Sequence, residues 1–188
     1  MTRRRVAAKM AQVAQAWVEP VTDDPEAVSA LEVARAHLPA GRALRSLRRV
    51  RLFELCGALP GREEFETLLH RSIQFYNPHK ERCTVRLAAG EPAPLVADEQ
   101  VVLVFDRGDE RRAGAERWWR HETDKAIEVR EGVAWVLGFE PAVRDAGAAA
   151  EELAVLRDRR HGLLCNPHAQ EHRRAAAEIP LPWMSASS

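Results

Sequence analysis

The chain has 188 residues, 46% hydrophobic and 30% charged, with 28 basic side chains balanced by 28 acidic ones. A zero net charge argues against a partner held by bulk electrostatics, such as duplex DNA, and the length is enough to bury a core without metal or disulfide staples. Cys56, Cys83 and Cys165 are odd in number and widely spaced, so no disulfide framework is implied and a reducing, cytoplasmic setting is expected.

Residues 4–18 are helix-favouring, with Val6, Met10, Val13 and Trp17 recurring at three- and four-residue steps. Lys9, Gln12 and Gln15 interrupt the apolar run, so no signal-peptide core is expected. After Pro20, Asp23 and Glu26 form a capping pattern around Pro25, which opens a second helix to about His37. These two segments predict an N-terminal helical arm over residues 1–40.

A core domain is expected over residues 41–180. Leu47, Arg49 and Arg51 alternate with Val50 and Leu52, which predicts a strand over 47–56. Pro60-Gly61 turns into a helix over 62–74 with Phe65, Leu68, Leu69 and Tyr76 on one face. A return strand over 83–88 follows, then a buried apolar strand over 101–105 that ends at Asp106. A short helix carries Trp118 and Trp119; both cannot face the core, so one is expected to present a partner or self-association surface. Glu131-Gly132 is expected as a two-residue hairpin turn between strands over 126–130 and 133–139. Pro141 introduces a helix to about residue 159, residues 167–178 are expected to be helical, and 181–188 to be a flexible tail.

Both asparagines of the chain stand in one tripeptide, Asn77-Pro78-His79 and Asn166-Pro167-His168, each at the end of a similar unit. The expected fold is therefore α+β: a mixed β-sheet with helices on one face, built from two halves of βαβ type related by internal duplication. In topology these halves resemble the ferredoxin-like fold.

Asn-Pro reads as a helix start, which would place each histidine at the second helical position and the residue four later on the same face. Those fourth residues are Cys83 and His172. His79 with Cys83, and His161, Cys165, His168 and His172 together, are the candidate metal ligands, with zinc as the candidate cofactor. The string 168–172 also matches the H-x-x-E-H pattern of inverzincin metalloproteases, although Pro167 directly precedes it and no third acidic ligand is evident. Arg71 and Arg160, six residues before each asparagine, make Asn77, His79, Asn166 and His168 candidates for holding a small anion at a helix N-terminus. Cys56 is expected as a core thiol. The chain carries no Gly-rich phosphate loop, no G-x-S-x-G elbow and no C-x-x-C pair.

The functional expectation is a small binding or regulatory protein acting through protein or small-ligand contacts, with no role for nucleic acid or membrane. The alternative is a metal-dependent or anion-binding enzyme whose site is built where the two Asn-Pro-His motifs meet.

Overall fold

The structure is a computed structural model and describes residues 12–185. Six strands form one sheet in the order β3-β1-β2-β5-β4-β6. They are β1 (Gln12–Pro20), β2 (Leu44–Gly57), β3 (Glu81–Arg86), β4 (Gln100–Asp106), β5 (Ile127–Phe139) and β6 (Gln170–Ala175). Four helices connect them: α1 (Pro25–His37), α2 (Arg62–Arg71), α3 (Ala113–Thr123) and α4 (Ala146–Ala154). All five ladders are antiparallel, which corrects the expected mixed sheet and its βαβ units, since a βαβ unit requires parallel strands. No helix of the described residues is long and apolar enough to cross a membrane.

Strand parity sorts the core into two faces. Ala14, Ala16 and Val18 of β1, Phe53 and Leu55 of β2, and Ile127 and Val129 of β5 pack under α2 and α3 through Phe65, Leu68, Leu69 and Trp119. On the same face, Leu47, Val102, Val104, Trp135 and Leu137 pack under α1 and α4. The other face carries Trp17, Val50, Leu52, Val101, Leu103 and Val136, covered by Ile179, Trp183 and Met184 of the C-terminal segment. Glu54, only 1% exposed, fixes that segment. Its carboxylate accepts the amides of Trp183, Met184 and Ser185 and the Ser185 hydroxyl, as a buried charge requires. Residues 181–185 are thus a packed strap where a flexible tail was expected.

Three further expectations are corrected. The helix read over 4–18 is, across its described part, the strand β1. Ala14, Ala16 and Val18 point to one face and Gln15 and Trp17 to the other, and pairing to both β2 and β3 outweighs helical propensity. Residues 1–11 of the expected arm lie outside the described residues. The hairpin at Glu131-Gly132 is absent, because β5 runs unbroken and pairs with β2 throughout. A Cβ on Gly132 would stand 2.9 Å from Leu103 Cδ1 and 3.0 Å from the Val104 carbonyl oxygen. The glycine therefore serves close packing of the neighbouring strand. Residues 170–175, expected in a helix, form the edge strand β6, because β4 offers an unpaired edge along its length.

The helix at Pro25 forms where expected, but Asp24 caps it, accepting the amides of Glu26 and Ala27. Helix α4 is shorter than its apolar pattern.

Candidate functional site

The two Asn-Pro-His motifs adopt the same structure, and it is a turn. The Asn77 side chain accepts the His79 amide at 3.0 Å and the Asn77 carbonyl accepts the Glu81 amide at 2.8 Å. The Asn166 side chain accepts the His168 amide at 3.1 Å and its carbonyl accepts the Gln170 amide at 2.8 Å. The residue that closes each turn reaches back: Glu81 accepts the Asn77 amide and Gln170 accepts the Asn166 amide. Asparagine suits this turn because its short side chain hydrogen-bonds the backbone two residues on. Each turn then launches an edge strand, β3 or β6. The predicted helix starts are corrected accordingly, since both motifs feed a ladder and neither feeds a helix.

The motifs do not meet. They stand at opposite edges of the sheet, five inter-strand steps of about 4.8 Å apart. His79 and His168 are both exposed. Cys83 lies on β3 against the α2 cluster, and burial pushes its thiol up to about 12. Cys165 is buried under α4 and its thiol is also raised by burial. His161 contacts Asp158 at 2.9 Å. His172 lies on β6, 3.9 Å from Glu151. Among the described residues no group of three or more histidine, cysteine or acidic side chains is placed to hold a metal ion. Arg71 pairs with Glu122 at 3.2 Å, and the Arg160 amide donates to Asp158. Trp119 is fully buried against Phe65 and Phe75, while Trp118 is half-buried with its ring edge against Phe75. Burial also raises the Cys56 thiol, helped by Glu128 and Glu54. All three thiols are therefore held from the thiolate form that a nucleophile needs.

What the fold does bring together lies at its centre. Each half runs strand, helix, strand, helix, strand, with matching register. Ladder β1–β3 runs from Gln15↔Arg86 to Pro20↔Glu81, and β4–β6 from Val101↔Ala175 to Asp106↔Gln170. Val18↔Arg51 is matched by Val104↔Val133, and Ala16↔Phe53 by Val102↔Trp135. Arg51 and Val133 are also each other's partners across β2–β5, so an approximate twofold passes between them.

At this axis the halves differ. Arg51 donates to the Phe75 carbonyl oxygen and to Glu81, each at 2.9 Å, and its guanidinium lies 5.3 Å from the centre of the Phe53 ring. The counterparts are Val133, Leu164, Gln170 and Trp135. With valine in place of arginine and leucine in place of phenylalanine, the space stays open: a cleft of about 280 Å³ lined by those four residues and by Val104 and Gly132.

Polar groups frame this cleft. Arg49 of β2 pairs with Asp24 at 3.3 Å and lies 3.1 Å from Glu26. The 3.1 Å contact is made by the buried Nε itself, which is ion-paired with Glu26 although its N–H lacks hydrogen-bond geometry. Arg112, at the start of α3, bonds Glu131 through its own Nε, and this hydrogen bond holds the guanidinium pKa above its ordinary value. Glu131 also faces Arg51 at 3.5 Å. At the mouth, Gln170 donates to Asp106 at 3.1 Å. The arrangement can bind a small polar molecule over an apolar floor; it holds no activated nucleophile among the groups that line it.

Of the lining residues, the strand-end Asp106 and the motif beside Gln170 stand out in the sequence, whereas Arg49, Arg112, Glu131 and Trp135 belong to no recognisable motif. A signal existed: Leu47, Arg49, Arg51, Phe53 and Leu55 share one strand face, so two arginines sit between residues that must be buried. Such a pattern marks a polar centre in a core face.

No protein-family model, no curated protein and no solved structure matches this chain.

Proposed function

We propose that this chain is a small-ligand-binding protein built from two copies of a strand-helix-strand-helix-strand unit, in which the first copy is structural and the second carries the site. Equal ladder registers and two identical Asn-Pro-His turns support the duplication. The three free cysteines fit a reducing compartment. The observation that carries the binding reading is the contrast at the axis: Arg51 and Phe75 fill the first copy, while Val133 and Leu164 leave about 280 Å³ open in the second. That volume is near the lower end of ligand pockets, roughly 300–1,000 Å³, and suits a metabolite smaller than a nucleotide. In this reading the Asn-Pro-His turns are scaffolding. Each anchors an edge strand, and the second also positions Gln170 at the mouth.

Amide-resolved NMR with a library of small polar fragments tests this. Shifts are expected to concentrate on Gly132, the Trp135 indole and the Gln170 side-chain amide. A library that perturbs only sites remote from these, or none, would overturn the reading.

A further inference from the structure

The chemistry of the cleft narrows its ligand, an inference that rests on the binding reading above. We infer that the cleft takes a small alkylguanidinium cation, seated over Trp135 with its charge toward Asp106.

The first half already holds a guanidinium at the equivalent place. Arg51 sets its head group among acceptors and a ring. It donates to the Phe75 carbonyl oxygen and to Glu81, each at 2.9 Å, faces Glu131 at 3.5 Å and lies 5.3 Å from the centre of the Phe53 ring.

In the second half the seat is kept and the cation is gone. The rung Pro20↔Glu81 is matched by Asp106↔Gln170, so the rung retains one carboxylate, moved from the edge strand to its neighbour. Trp135 stands for Phe53, and an indole face attracts a cation more strongly than a phenyl face. The Leu164 carbonyl, counterpart of the Phe75 acceptor, takes no backbone hydrogen bond among the described residues. Val133 stands where Arg51 would be, beside the open 280 Å³.

Charge agrees in sign. Arg49 is held by Asp24 and Glu26, and Arg112 by Glu131, so neither lining guanidinium is left for an anion. The Asp106 carboxylate is bonded only by the neutral Gln170 amide among the described residues. Asp24, Glu26, Asp106 and Glu131 thus stand against Arg49 and Arg112, and the surplus is negative. Adding the Arg51–Glu81 pair leaves that surplus unchanged. Asp106 is exposed, and an exposed charge attracts weakly by itself. The Trp135 face and the apolar floor of Val133 and Leu164 supply the rest, for a chain of a few carbons.

The test is titration of the full chain with butylguanidinium, its uncharged isostere butylurea, and pentanoate, read by amide-resolved NMR and calorimetry. Butylguanidinium is expected to shift Gly132 and the Trp135 indole. It should bind at least about tenfold more tightly than butylurea, as a cation over an indole beside a carboxylate implies. Asp106→Asn should remove most of that preference. Gln170→Glu restores the carboxylate of the first half, where Glu81 accepts the Asn77 amide as Gln170 accepts that of Asn166. It should tighten butylguanidinium at least about threefold and leave butylurea unchanged. Leu164→Phe, which reproduces the filling by Phe75, should abolish binding of both. Three results overturn the guanidinium assignment and leave the cleft standing: equal binding of butylguanidinium and butylurea there, a preference that survives Asp106→Asn, or tighter binding of pentanoate. No shift at the cleft with any probe also overturns the assignment, and the fragment library then decides whether the cleft reading falls with it.

Discussion

In the first half of the sheet, Arg51 spans from its strand to the Phe75 carbonyl and Glu81 and lies over the Phe53 ring. In the second half, Val133 stops short of Leu164 and Gln170, and the buried Trp135 lines the cleft left between them. The backbone frames are alike: the same strand-and-helix order, the same outer ladders and the same turn before each edge strand. The difference thus lies in a few side chains: the backbone frame is held constant about an approximate twofold while one of two equivalent positions is filled and the other stays open.

The comparison breaks most sharply at Phe75. This residue is fully buried and makes edge contacts with Phe53, Trp118 and Trp119. Phe75→Ala should cost about 3–5 kcal/mol in urea denaturation, and Leu164→Ala, beside space that is already open, only about 2 kcal/mol. Equal costs would mean that the second site is packed as tightly as the first.

Arg51 comes next. Arg51→Leu leaves Glu81 and Glu131 without their shared cation. Its partial exposure limits the cost to about 1–2 kcal/mol. Raised salt should narrow the difference from the parent chain, since screening softens the remaining repulsion.

The turns test the sameness of the halves. Asn77→Ala and Asn166→Ala each remove one side-chain cap on a backbone amide and should each cost about 1 kcal/mol. A gap between them of more than about 1 kcal/mol would show that the two turns carry unequal loads, against their matched hydrogen bonds.

The smallest expected effect on stability concerns Cys83, whose counterpart is His172; Cys83 pairs with Val18 of β1 as His172 pairs with Val104 of β4. The folded thiol titrates at about 12, against an ordinary 9.0, because burial disfavours the thiolate. The sign follows: a raised value favours the protonated thiol in the folded state, so this contribution is complete below pH 9 and is lost as pH rises toward 12. At pH 8, iodoacetamide should label Cys83 at least about a hundredfold more slowly in the folded chain than in urea, as read by mass spectrometry.

The elements that sequence made legible were those whose pattern fits one structure only. The run from Val101 to Phe105 is too apolar for an edge and too short for a helix, and it is a buried strand. Pro25 and the Phe65, Leu68, Leu69 stripe mark helices that formed. Ambiguity entered where two periods coexist. Val13 and Trp17 satisfy a helix, while Ala14, Ala16 and Val18 satisfy a strand, and only the unpaired edges of β2 and β3 decide between them. Gly132 misled for a similar reason, because a glycine that starts a turn and one that admits a neighbouring strand are identical in sequence.

By itself, then, the sequence determined an α+β chain with balanced charge and an Asn-Pro-His tripeptide that occurs twice, since composition, capping and short-range turn chemistry act within a few residues. Tertiary structure alone decided that the two motifs sit at opposite edges, that the C-terminal segment is strapped down by Glu54, and that a cleft opens beside Val133. Those outcomes depend on which strands pair and in what register. Register is set by the fit of side chains distant in sequence, such as Arg51 against Val133, Phe75 and Glu81, and no local pattern contains it.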